Sequence, residues 1–379
     1  MKILIAPDKF KHSLSSFEAC EAIKSGLLNA SDTFQIKSMP LADGGDGLLE
    51  IIQFYIPSTM HSVAVSDPLF RPISSSLVIS SDRQTAFIEM AKASGLLLLK
   101  PEEYNCTNTT TFGTGELIKE AISLNAKNIV MGLGGSSTND CGIGMAAALG
   151  FCFRDKHGNQ LKPIGKNLIR IEHIDQTNVI DFKHIDFQIA CDVKNPLTGK
   201  YGATNTYARQ KGASEIDIEE LEAGMLHFKD IIKKDLGKNV DQIEGAGAAG
   251  GLAAGCVAFL NAGLSSGIDI VLNISNAEKY IVEADIIITG EGSIDQQSLK
   301  GKVLSGVGML CKKHNKPAIA FCGNLKLSKG ALEKINIRSA YSINPANFKL
   351  EEAYSMAFDL LKAKAYAIGL KMLNEDPTI

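Results

Sequence analysis

Residues 285–322 read DIIITGEGSIDQQSLKGKVLSGVGMLCKKHNKPAIAFC, and this stretch decides the fold class. Residues 285–289 and 318–322 are continuous apolar runs of strand length that lack the alternation of a half-exposed strand. They read as strands buried on both faces. Residues 302–314 between them read as a helix, so the order is that of a parallel crossover unit. The start of the chain repeats the pattern. Residues 3–6 are a strand, and Ser15-Ser16-Phe17-Glu18 carries the Ser and Glu of a capping box that opens a helix. Residues 35–39 form the next strand, and beyond a loop at 40–47 residues 48–55 read as a helix. Both loops leave the carboxyl ends of parallel strands.

The middle of the chain reads differently. Leu77-Val78-Ile79 and Ala86-Phe87-Ile88 flank Ser81-Asp82-Arg83-Gln84, which is hairpin spacing, so the sheet there is mixed. Helices are expected at 114–124, 142–149 and 215–236, with strands at 128–133 and 187–190. A chain of 379 residues exceeds one ordinary core. The expected architecture is α/β: a doubly wound, mostly parallel Rossmann-like domain from 1–66 and 284–379, with a second, mixed-sheet α/β domain at 67–283 inserted. The active site is expected in the cleft between them.

Lys plus Arg number 39 against 42 Asp plus Glu, for a formal charge of -3. That balance gives no global basic field for nucleic acid or anionic lipid and points to small-molecule partners. No run approaches the roughly 20 apolar residues of a spanning helix, and the opening Met1-Lys2-Ile3-Leu4 predicts no cleaved leader. Eight cysteines lie scattered, without a C-x-x-C pair or zinc spacing, and read as buried free thiols of a reducing, cytoplasmic location. The histidines are spread out and attract no role.

Six short stretches combine Gly with Asp, Asn, Ser or Lys at strand or helix ends: residues 6–11, 41–47, 134–140, 191–196, 245–251 and 289–295. Gly134-Gly135-Ser136-Ser137-Thr138-Asn139-Asp140 follows an apolar strand and precedes a small-residue helix. It is either a phosphate cradle or a tight turn. The run ending in Gly250-Gly251 opens another helix and suits either phosphate or close helix packing. No Walker A sequence and no protein-kinase signature is present, and Gly113-Thr114-Gly115 lacks the third glycine of a dinucleotide fingerprint. Phosphoryl transfer needs a cation against the developing charge, carboxylates for Mg²⁺, and a carboxylate at the acceptor hydroxyl. Lys11 supplies the first, Glu291 and Asp295 the second and Asp192 the third. For each acid alone a cap or a turn is the competing explanation.

Taken in order, these stretches resemble the type I glycerate kinases of bacteria, whose opening reads roughly A-P-D-S-F-K-G-S-L against Ala6-Pro7-Asp8-Lys9-Phe10-Lys11-His12-Ser13-Leu14. The likeness continues through Pro40 to Gly47, Glu89-Met90-Ala91, Gly113-Thr114-Gly115, 134–140, Cys191-Asp192-Val193, 247–252 and Thr289-Gly290-Glu291-Gly292 with Asp295 and Gln297. It covers nearly the whole chain. Lys9 and His12 stand where small residues are common, Asp46 where Glu is usual, Ser137 for Ala and Cys141 for Gly. The resemblance implies ATP and Mg²⁺ as cofactors and D-glycerate as acceptor, with 2-phosphoglycerate as product.

The site expected from motif position and chemistry has Asp192 and Lys11 as catalytic residues. Asp8, Lys11, Asp43, Gly44 and Gly45 would bind substrate, and Gly134, Gly135, Ser136, Ser137, Asn139, Gly250 and Gly251 would bind nucleotide. Glu291 and Asp295 would hold the metal. Lys11 would meet the glycerate carboxylate or the transferring phosphoryl. A homodimer is left open. The alternatives are a kinase of another hydroxy or sugar acid, 3-phosphoglycerate as product, and a non-catalytic small-molecule sensor.

Overall fold

A computed structural model describes residues 1–45, 47–299, 301–345 and 350–374. Asp46 of the 40–47 stretch lies outside them. Its strands, in chain order, are β1 Lys2–Ile5, β2 Gln35–Ser38, β3 Ser58–Ser66, β4 Pro72–Ser80, β5 Thr85–Glu89, β6 Asn128–Gly132, β7 Cys152–Arg154, β8 His173–Asp175, β9 Asp186–Ala190, β10 Gly263–Ser265, β11 Ile286–Ile294, β12 Ala318–Leu325 and β13 Ser339–Ser342. The chain divides into two compact units, Met1–Asp43 with Gly267–Ile379, and Gly44–Ser266.

The first unit is built on a five-stranded sheet of order β13-β12-β11-β1-β2 in which every neighbouring pair is parallel. Buried Ile3, Ile5, Ile286, Ile288 and Ile319 face the helices Ser16–Ala30 and Ala357–Asn374. Those two helices touch closely. A Cβ on Gly26 would lie 2.2 Å from the Lys362 carbonyl, so only glycine admits the approach. The capping box is formed, with Ser15 Oγ accepting from Glu18 N at 3.2 Å and the Glu18 carboxylate accepting from Ser15 N at 2.8 Å. On the other face the helix Val303–Lys313 packs on Ile268, since a Cβ on Gly306 would lie 2.7 Å from Ile268 Cγ1. Helices on both faces make the sheet doubly wound, and β1 and β11 lead away in opposite directions along it.

The second unit holds a six-stranded sheet of order β10-β9-β6-β5-β4-β3. β10, β9, β6 and β5 run parallel, while β5-β4 and β4-β3 are antiparallel. The expected hairpin pairs Ile79 with Ala86 and Val78 with Phe87. The helix Glu215–Leu236 has its own capping box, Ser214 with Asp217, and ends at left-handed Gly237. A buried core runs through Ile88, Ile129, Met131, Ile189, Phe228 and Phe259.

The units part at 43/44 and 266/267 rather than at 66/67 and 283/284. β3 pairs with β4 along its whole length, from Ser58 opposite Ser80 to Ser66 opposite Pro72, which ties 58–66 to the second unit. Helices Gly267–Ile274 and Ala277–Glu283 belong with the first. β11 also runs five residues past Thr289, so Glu291 stands within the strand rather than beyond it.

Candidate functional site

In the first unit the carboxyl ends of three neighbouring strands, β11, β1 and the edge strand β2, converge on acids. Pairing continues past the strand ends, with Ala6 N donating to Ile288 O at 2.7 Å, Asp8 N to Gly290 O at 2.8 Å and Leu41 N to Pro7 O at 3.0 Å. This places Asp8, Asp43 and Glu291 on neighbouring chains at one end of the sheet. Asp8 and Glu291 are each only 6% exposed. Burial, then the negative charge of Asp43, raises the Asp8 carboxyl well above the usual range, and the Lys9 amide at 2.7 Å offsets part of this. Glu291 is pushed up to about 7, first by burial and further by Asp295 and Asp43, against the lowering effects of the Ser298 hydroxyl and Lys302. Glu291 Oε1 is buried with no hydrogen-bond partner. Asp295 is half-buried, and its Oδ1 accepts from Gln297 N at 2.8 Å, an Asx turn.

Lys11 is displayed on a tight turn. Phe10 N and Leu14 O pair at 2.8 Å, Leu14 N returns to Phe10 O at 2.9 Å, and His12 takes φ 70 at the apex. The turn sits against Gly292, where a Cβ would lie 2.9 Å from Lys11 N.

In the second unit the register aligns Glu89, Gly132, Ala190 and Ser265 across β5, β6, β9 and β10. The segments that follow, 134–140 after β6 and Asp192 after β9, therefore leave the same end. Asp192 is half-buried and Oδ1 accepts from Ser266 Oγ at 3.2 Å. Glu89, 7% exposed, accepts from Leu49 N at 2.9 Å and so fixes the helix Leu48–Tyr55. Gly44, with φ 87, reaches this end too, because a Cβ on Gly132 would lie 2.3 Å from its carbonyl oxygen. Gly45 accepts from Leu48 N at 3.3 Å.

The 134–140 loop has an exposed tip and a buried rear. Gly134 and Gly135 are exposed, while Ser137, Thr138, Asn139 and Asp140 are almost fully buried. The Asp140 carboxylate accepts from Thr111 N and Thr111 Oγ1 at 2.8 Å, Gly142 N at 3.1 Å and Gly144 N at 3.2 Å. Burial still raises its pKa despite those four donors. Ser137 donates by both N and Oγ to Ser94 O at 3.0 Å. Thr138 Oγ1 and Asn139 Oδ1 are buried without partners, a cost of about 1–3 kcal/mol each. Behind the loop Ala249, Gly250 and Gly251 take φ 52, 66 and 84, three successive left-handed residues at the start of the helix Ala248–Leu260. A Cβ on Gly250 would lie 2.0 Å from Thr138 O, and Gly250 O accepts from Cys141 N at 3.1 Å. Such backbone concentrates at binding sites.

Gly113 and Gly115 serve packing, since Cβ atoms there would meet Ser66 O at 1.9 Å and Met145 O at 2.3 Å. Two departures from the resembled pattern have a physical reading as well. His12, where the resembled pattern has a small residue, and Cys141, where it has Gly, take φ 70 and 51, the left-handed backbone that favours glycine. Sequence reasoning passed over Lys211, fully buried beneath the 134–140 loop, with Nζ donating to Ser136 Oγ and Thr138 O at 2.7 Å. No sequence signal marks it, because Arg209-Gln210-Lys211-Gly212 reads as a solvated turn. Asp140, whose role the loop motif alone does not show, is an acid just ahead of a helix that accepts from Gly142 N and Gly144 N.

Among the described residues, no group of three His, Cys, Asp or Glu side chains forms a ready chelate. Mg²⁺ does not require one, since one or two carboxylates with water and phosphate oxygens suffice. The unpartnered Glu291 Oε1, in an acid cluster raised first by burial and then by like charges, fits a small hard cation.

Residues 3–373 match the model of the glycerate kinase family. A glycerate 2-kinase of Escherichia coli K12 is 42% identical over 360 residues, covering 95% of this chain and 94% of the relative. A glycerate kinase of Halalkalibacterium halodurans is 40% identical over 369 residues and 97% of each chain. The crystal structure of a candidate glycerate kinase 2 from Salmonella typhimurium LT2 superposes with a TM-score of 0.86 at 37% identity over 98% of each chain. Among the described residues no helix is long and apolar enough to cross a membrane.

Proposed function

The chain belongs to the glycerate kinase family, and from that premise we propose that it transfers the γ-phosphoryl group of ATP to the 2-hydroxyl of D-glycerate, giving 2-phosphoglycerate and ADP. The observation that carries phosphoryl transfer is the two strand ends, each described within its own unit. Buried acids with an unpartnered Glu291 oxygen mark one. A glycine-serine loop with an exposed Gly134-Gly135 tip, backed by left-handed Gly250 and Gly251, marks the other.

In this reading the exposed Gly134-Gly135 tip and Ser136 receive the nucleotide phosphates through backbone amides and the hydroxyl, with Gly250 and Gly251 bracing the loop from behind. Lys11 binds the glycerate carboxylate. Asp8 and Asp43, pressed against Glu291, suit the acceptor's hydroxyls or a cation rather than that carboxylate. The half-buried Asp192 accepts the proton as the hydroxyl oxygen bonds to the γ-phosphorus and the bond to the β–γ bridging oxygen breaks. Glu291 and Asp295 would hold Mg²⁺, which when bound neutralises charge developing on the phosphates.

The test is ADP release with Mg-ATP and a panel of D-glycerate, L-glycerate and sugar acids, with the product read by ³¹P NMR. Selective turnover of D-glycerate to the 2-phosphate is expected. An inert D-glycerate beside another acid that turns over would remove the acceptor assignment. A 3-phosphate product would remove the regiochemistry.

A further inference from the structure

The side chain of Lys211 is the buried cation that the mechanism above does not use. Its backbone is anchored by Lys211 N to Ala208 O at 3.0 Å and Cys106 N to Lys211 O at 3.1 Å. The residue is 2% exposed, so no ligand reaches the ammonium directly. Its two hydrogen bonds go to acceptors on either side of Ser137, and thus clip the loop at 136 and 138.

The charge has little compensation. The ionisable groups that face it are Asp140 on the loop and Cys106 on the segment beneath, with Asp217 acting on Cys106 in turn. The Asp140 carboxylate is committed to four other donors, and among the described residues no carboxylate lies within ion-pairing distance of Lys211 Nζ. A buried ammonium without an ion pair is costly. An anion at the loop's exposed Gly134-Gly135 tip would offset that cost.

We propose that Lys211 is the positioning residue of the nucleotide site, holding the 134–140 loop from behind and supplying the positive charge that lets the loop retain the phosphates of ATP. The inference rests on the assignment of that loop to the nucleotide. Burial lowers Lys211 to about 8, with Cys106 and Asp140 opposing. The charge is therefore present below pH 8 and lost as pH rises through it, and ATP binding weakens in the same direction.

The experiment is steady-state kinetics of wild type, Lys211→Met, Lys211→Arg and the loop variant Thr138→Val, with ATP and glycerate varied in turn from pH 7 to 9.5. Expected at pH 7.5 is a rise of tenfold or more in the KM for ATP in Lys211→Met, with the KM for glycerate within twofold. In wild type the KM for ATP climbs severalfold above pH 8. In Lys211→Arg, whose guanidinium stays charged, it remains flat. If Thr138→Val raises the KM for ATP while Lys211→Met does not, Lys211 loses the role and the loop keeps its own. If both variants move only the KM for glycerate, the loop assignment falls and the inference with it. Should Lys211→Met fail to fold, the wild-type profile decides, and a flat one overturns the proposal.

Discussion

The carboxyl end of the β11-β1-β2 sheet and that of the β6-β9 sheet share a plan: parallel strands, loops that leave one edge, and helices that cover the faces. Their chemistry differs. The first gathers Asp8, Asp43 and Glu291 and lifts the carboxyls of Asp8 and Glu291 by burial and mutual repulsion. The second gathers glycine amides, hydroxyls and the ammonium of Lys211, which burial pushes down. Parallel-sheet architecture supplies the platform, and the few residues after each strand decide what binds there.

The largest effect expected comes from Asp192→Asn. As the proposed base it should cost about 10²–10⁴-fold in kcat, with the KM for ATP within threefold. Unchanged kcat would remove Asp192 from the mechanism.

Glu291→Gln sharpens the contrast on the acidic side. A carboxyl whose folded pKa lies above its unfolded value stabilises the fold when protonated, and that stability is lost as pH rises through about 7. The variant should therefore be more stable than wild type by about 1–3 kcal/mol at pH 8, with the gap shrinking toward pH 5. Urea denaturation at the two pH values reads this. The same variant should lose activity and need more Mg²⁺ for half-maximal rate. A variant that is less stable at pH 8, or one that is fully active, would break the acidic half of the comparison.

Gly250→Ala tests the other side. The residue is left-handed, with φ 66 and a Cβ position 2.0 Å from Thr138 O, so the loop must shift. A stability loss of about 1–3 kcal/mol is expected, together with a KM for ATP raised severalfold and a KM for glycerate unchanged.

The smallest effect belongs to His12→Gly. Left-handed backbone costs a non-glycine residue about 1–2 kcal/mol, and glycine returns about 0.4–1 kcal/mol of that as chain entropy. A thermal melt should show the variant equal to wild type or slightly more stable.

The backbone plan was legible where local rules suffice. Ser15 with Glu18, the 79/86 hairpin and the helix Glu215–Leu236 follow from capping, turn spacing and apolar periodicity. The membership of β3 was not, since nothing within Ser58–Ser66 itself says which sheet it joins and only its pairing with β4 assigns it to a unit. Of the candidate site, the acids and glycine loops stood out because their residue types are unusual at strand ends. Lys211 did not. Its burial comes from residues 75 and 73 positions away in sequence, Ser136 and Thr138, and no local pattern records that.

The division of labour between the two strand ends is tested most directly by steady-state kinetics of Lys11→Ala with each substrate varied in turn. Lys11 stands on an exposed turn, so its loss should leave the fold intact. A KM for D-glycerate raised tenfold or more, with the KM for ATP unchanged, is the predicted result. A raised KM for ATP with the KM for D-glycerate unmoved would contradict it and put the nucleotide at the acidic end.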